Sequence, residues 1–238
     1  GTAAVSGTSA TITGLTANTS YTFSVTASNS AGAGAAASAA AVRTLAGAPT
    51  GLSVTAKTAN SISLSWTAPT PSTGVTYTVR GSAGAALPNG ATVAYNATSA
   101  VVSGLSANTS YVFSVLAANA TGSSAPSNDT AATLTLPDVV TAVTTGSVTS
   151  TSVVVSWTAP ANATGLTYAV SGGGTAAVSG TSATITGLTA NTSYTFSVTA
   201  SNSAGAGAAA SAAAVRTLAG APTGLSVTAK TANSISLS

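Results

Sequence analysis

Only seven of the 238 residues carry formal charge: Arg43, Lys57, Arg80, Arg216 and Lys230 against Asp129 and Asp138. A net charge of +3 spread this thinly makes no basic patch, so nucleic acid is excluded as a partner, and no apolar run is long enough for this segment to insert in a membrane. There is no Cys, His or Met, which removes the common general bases, thiol nucleophiles and metal ligands, so no catalytic, cofactor or metal site is expected.

From Tyr21 the chain alternates strictly. Phe23, Val25 and Ala27 fall on one side and Thr22, Ser24 and Thr26 on the other, the period-2 pattern of a half-buried strand. Ala31–Val42 is rich in Ala and has helical propensity. The breakers in Ser28–Gly34 instead predict a loose hairpin loop running into a last strand at Ala41–Leu45. After Pro49, Ser61–Trp66 puts Ile62, Leu64 and Trp66 on one face and three hydroxyls on the other. Tyr77 follows Trp66 by 11 residues, and Leu105 precedes Tyr111 by 6. The stretch Ala120–Asn128 contains Pro126 and shows no helical pattern. Beyond Pro137 the order repeats: Val153, Val155 and Trp157 inward, Tyr168 after another 11 residues, then Leu188 six before Tyr194. Gly172-Gly173-Gly174 lacks the Lys and following helix of a phosphate loop and is expected to be a flexible turn. Pro222 opens the next copy.

Gly1–Ser65 is identical, letter for letter, to Gly174–Ser238, an offset of 173. From Pro49, Pro137 and Pro222 that period divides into 88 and 85 residues, two related domains in alternation. The expected layout is the C-terminal part of one domain at 1–46, complete domains at 47–136 and 137–220, and the first strands of another at 221–238. Gly1 would then lie after a third strand, and Ser238 one residue before the next Trp. The expectation is a window on a longer periodic chain, with strand donation between subunits as the other possibility.

The ordered set Trp66, Tyr77, Leu105 and Tyr111, seen again as Trp157, Tyr168, Leu188 and Tyr194, resembles the signature of the fibronectin type III family. The initial Pro and the domain length agree with it. The resemblance implies an all-β fold of tandem Ig-like sandwiches, each of about seven strands. It also implies core roles for these eight residues, with each corner Tyr hydroxyl bonded back to nearby backbone. The family's Arg-Gly-Asp adhesion loop is absent, because Ser82 follows Arg80-Gly81.

Fold alone does not assign function, so the surface has to be read. Charged residues are 3% of the chain and Ser plus Thr number 81. Faces so poor in charge tend to associate or to be coated. Asn-x-Ser/Thr sequons occur at Asn18, Asn96, Asn108, Asn119, Asn128, Asn162 and Asn191, each a candidate for N-glycosylation. Asn128, Asp129 and Asp138 could share a calcium ion, although a turn role suits them better. The expected function is a structural extracellular fibre or stalk built from the two-domain unit, with other copies of the repeat and covalent glycans as its partners. The alternatives are spacer repeats of a cell-surface adhesin, and accessory domains of a secreted polysaccharide-degrading enzyme. Each places the chain outside the cell or at its surface.

Overall fold

The computed structural model describes residues 1–238 and is all-β apart from one three-residue 3-10 turn at Ser82–Gly84. The chain forms two compact units, Gly1–Thr135 and Leu136–Ser238. No helix is long and apolar enough to cross a membrane.

In the first unit a four-stranded antiparallel sheet runs in the order Thr92–Asn96, Ser99–Ser103, Ser61–Thr67, Thr50–Lys57. A three-stranded sheet of Thr76–Gly81, Phe113–Asn119 and Gly122–Ser123 faces it. Register follows the alternation: Ile62 pairs with Val102 and Leu64 with Ala100, so both rows point inward. They meet Val79, Phe113 and Val115 of the other sheet, forming one core with Trp66 and Leu105. The first 46 residues contribute the hairpin Thr2–Ser6/Ser9–Thr13 and three short strand pairs.

The second unit repeats the design. One sheet is ordered Thr141–Gly146, Ser152–Thr158, Ser182–Thr186, Thr175–Ser179, and the other Thr167–Ser171, Ser197–Asn202, Gly205–Ser211. Val153, Val155, Ile185, Phe196 and Val198 are fully enclosed. The hairpin of Val227–Lys230 and Ile235–Leu237 follows and is exposed throughout.

The two domains close their last strand differently. In the second unit Gly205–Ser211 is a strand of seven residues, with a register shift opposite Thr199–Ser201, where the identical Ala-rich sequence near the N-terminus predicts a loose loop. In the first unit Pro126, with no N–H to give, interrupts the corresponding segment. There Ser124, Ser127 and Thr130, spaced by three, replace the ladder. Their own N–H groups donate to the carbonyls of Ala117, Val115 and Phe113 at 2.7, 2.8 and 2.8 Å. Their hydroxyls accept from the N–H groups of the same three residues at 3.0, 2.9 and 3.0 Å. All three are buried. A hydroxyl stands wherever a strand carbonyl is missing, so every inward amide of Phe113–Ala117 is satisfied.

The triple glycine is exposed, but the positions that side chains would take are blocked, so the expected turn is one that only glycine can make. Gly172, Gly173 and Gly174 all have positive φ, and a Cβ on Gly173 would lie 2.9 Å from the Tyr194 ring. One on Gly174 would lie 2.3 Å from the Thr186 carbonyl. The chain passes directly beneath the corner tyrosine, and only glycine fits both the space and the torsions.

Candidate functional site

The eight signature aromatic and leucine positions are structural. Trp66 and Tyr77 lie 5.3 Å apart at 60°, and Trp157 and Tyr168 5.4 Å apart at 55°, the tilted contact that the ring quadrupoles favour. Both indole N–H groups are buried without a hydrogen-bond partner. Burial also pushes the Tyr77 phenol upward. Leu105 and Leu188 are buried beneath the corners. The hydroxyls of Tyr21, Tyr111 and Tyr194 each accept from backbone five residues upstream, at Thr16, Ser106 and Thr189, all at 2.9 Å. Tyr194→Phe should destabilise the second unit by about 1 kcal/mol, since an amide loses its partner at a partly solvated site. A denaturant midpoint read at Trp157, against that at Trp66 as internal control, measures this.

The two carboxylates lie in irregular segments, not in the turns expected of them. Asp129 Oδ2 accepts from Ser82 Oγ at 2.5 Å and Oδ1 from the Ala83 N–H at 2.8 Å. Asp138 Oδ1 accepts from the Val139 N–H. The hydrogen bond from Ser82, then that from Ala83, hold the Asp129 carboxyl below the ordinary aspartate range. A lowered folded pKa means the contribution is complete above the unfolded value and fades as pH falls through the folded one. Carbon-detected titration should therefore show Asp129 ionising at lower pH than a free aspartate, with the Ser82–Gly84 turn loosening only in that acid window. A surface pocket of about 320 Å³ lies beside it, lined by residues that include Pro49, Leu52, Pro126 and Asp129. Its only charged group is already engaged by the turn.

The sequons diverge sharply once placed. Asn96, Asn128, Asn162 and Asn191 are exposed. Asn18 is 5% exposed and sits in a left-handed conformation (φ 49°) at the corner preceding Tyr21. Its Nδ2 donates to the carbonyls of Pro71 and Thr73 at 3.2 and 3.0 Å. Its Oδ1 accepts from Arg43 Nη1 at 3.4 Å and from Asn119 Nδ2 at 3.0 Å. Asn119 Nδ2 also donates to the Thr44 carbonyl at 2.9 Å, and its Oδ1 holds the Thr121 N–H. Both hydrogens of the Asn18 amide are committed, as are two bonds from that of Asn119, so neither nitrogen accepts a glycan while this contact is made. Asn108 and Asn162 are also engaged in contacts.

Asn18 and Asn119 thus form the centre of a built junction inside the first unit, where residues 1–46 meet the domain that follows. Leu45 covers Gly122, whose added Cβ would stand 3.1 Å from the leucine Cδ2. Gly47 admits Pro69 at 3.2 Å in the same sense. Ala46 is 5% exposed. A similar Leu-on-Gly contact lies within the second unit, where Leu136 Cδ2 is 3.3 Å from a Cβ placed on Gly205. The sequon pattern pointed to these asparagines for a different reason. The usable signal was their position: Asn18, Asn108 and Asn191 all precede the corner Tyr by three residues.

The family model for the fibronectin type III domain matches residues 47–133 and 138–216. Chitinase A1 of Niallia circulans is 43% identical over 152 residues, which is 57% of this chain and 21% of that protein. Exoglucanase B of Cellulomonas fimi is 36% identical over 248 residues, 94% of this chain and 21% of that protein. The chain therefore spans about a fifth of the length of these relatives. A two-domain segment of chicken tenascin aligns at 22% identity with a TM-score of 0.43, covering 71% of this chain and 99% of that segment.

Proposed function

Because this chain belongs to the fibronectin type III family, two tandem domains of which it contains, we propose that it is an accessory spacer of an extracellular polysaccharide-degrading enzyme. The observation that carries this reading is similarity to two different hydrolases, one named for chitin and one a glucanase, over a fifth of each. What the matches have in common is a segment without His, Cys or paired carboxylates in this chain, which suits a part that holds other domains apart and leaves the chemistry to them. Neutral hydroxyl-rich faces suit a spacer that works on a carbohydrate surface without ionic adhesion. In the protein that carries this segment, removing one 173-residue unit should leave the rate on a soluble oligosaccharide unchanged and lower the rate on the insoluble polymer. Equal rates on the polymer, or the absence of any hydrolase domain in that protein, would overturn the proposal.

The letter-for-letter identity of Gly1–Ser65 and Gly174–Ser238 favours a second reading, a long stalk or fibre in which unit number sets length. Electron micrographs of the native material separate the two. If the array carries N-glycans, the exposed sequons Asn96, Asn128, Asn162 and Asn191 are the positions for them, and an intact mass equal to that of the bare polypeptide rejects this.

A further inference from the structure

The corner formed by Asn191, Arg216 and Ala219 has the same sequence as the corner at Asn18, Arg43 and Ala46. The local geometry also agrees. Asn191 has φ 54° against 49° for Asn18. The Asn191 N–H donates to the Leu218 carbonyl at 3.0 Å, as that of Asn18 does to Leu45 at 2.8 Å. Arg216 Nη1 reaches Asn191 Oδ1 at 3.2 Å, as Arg43 reaches Asn18. What differs is the surroundings. Asn18 and Ala46 are each 5% exposed, whereas Asn191 and Ala219 are exposed. Gly47 is met by Pro69, while Gly220 meets only its own Ala190.

We infer that the Asn191–Arg216–Ala219 corner is a docking surface, and that its occupant is a domain with the sequence of residues 47–135. The argument is one of identity: the same residues, in the same backbone conformation, are seen seated on such a domain elsewhere in the molecule. The occupant presents two carbonyls, those of Pro71 and Thr73, to the asparagine amide. It presents one amide, that of Asn119, to the asparagine oxygen. Gly122 supplies the flat spot for the leucine. A left-handed corner residue that must give two hydrogens and take one is met by Asn: Asp cannot donate, and Gly offers no side chain. The arginine shares the Asn oxygen and so fixes which end of the amide faces the two carbonyls. The inference concerns how successive domains are held and stands whether the array serves an enzyme or a stalk. It assigns the sequon at this position to domain docking.

The test extends the full chain past Ser238 with a copy of residues 66–135, completing a domain on the strands already present, and follows hydrogen exchange. The Asn191 side-chain amide, which gains two carbonyl acceptors, and the Ala219 backbone amide, which becomes buried as Ala46 is, should exchange at least about tenfold more slowly in the extended chain. Asn191→Ala in that chain should return Ala219 to its original rate, leaving the core amides of Phe196 and Val198 protected. Unchanged exchange at Asn191 and Ala219, with the added domain showing the same amide signature as residues 47–135, overturns the proposal. Asn18→Ala in the unextended chain is the second arm. It should accelerate exchange at Ala46 and at the Asn119 side chain by a similar factor, and if it does not, the latch holds nothing and the proposal falls by that result alone.

Discussion

Phe196→Ala is expected to unfold much of the second unit while leaving the first intact. Phe196 is completely enclosed and touches the core built on Val153, Val155, Trp157 and Ile185. Removing a ring from such a site costs about 3–5 kcal/mol, because the lost transfer energy and the cavity left behind add. A domain of about 85 residues has roughly 4–13 kcal/mol to lose. The core of residues 47–135 is a separate cluster with no residue in common, so the damage should stay local. Each unit has a single tryptophan, Trp157 and Trp66, which allows the two to be followed separately by tryptophan labelling. The expected result is one melting transition moved down by more than about 10 °C and one unmoved. Parallel loss of both transitions would show that the units depend on each other for stability.

The second large effect is expected from the hydroxyl ladder. Changing Ser124, Ser127 and Thr130 together to Ala, Ala and Val keeps the volume nearly constant. It also leaves the N–H groups of Ala117, Val115 and Phe113 facing apolar groups. Each buried donor without a partner costs about 1–3 kcal/mol, so the triple variant should lose roughly 3–9 kcal/mol, comparable with the whole stability of the domain. The single change Ser127→Ala should cost about a third of that. The corresponding strand of the second unit, Gly205–Ser211, closes its ladder with backbone groups, so Ala209→Ser there should be close to neutral. Chemical denaturation followed at Trp66 measures the first, and at Trp157 the second. A triple variant as stable as the parent would mean that the segment 124–130 pairs with Phe113–Ala117 in some other way.

Much of the fold is legible in the residues. The alternation of Ser61–Trp66 and of Ser152–Trp157 appears unchanged as strands with Ile62, Leu64, Val153 and Val155 inside. The order of Trp, Tyr, Leu and Tyr points to the family because each large side chain has one place in a small sandwich. Local pattern fails where a group's partner is remote in sequence. The spacing of Ser124, Ser127 and Thr130 reads as ordinary loop polarity until Phe113–Ala117 is laid beside it. The need for glycine in the triple glycine is hidden until Tyr194 lies over it.

The repeat makes the division clear, since identical letters meet different fates. The sequence by itself determined the 173-residue period, the strand faces and the aromatic order, because each depends on residue type and spacing alone. Burial was decided by the tertiary structure: Ile62 and Val198 are fully enclosed because Phe113 and Val115, and Val153 and Val155, stand against them from the opposing sheets. A strand hides its apolar face only where the opposing sheet stands against it. The same holds for Asn18 and Asn191. Side-chain type and backbone torsion equip both to give two hydrogens and accept one, and the neighbouring domain determines whether they do.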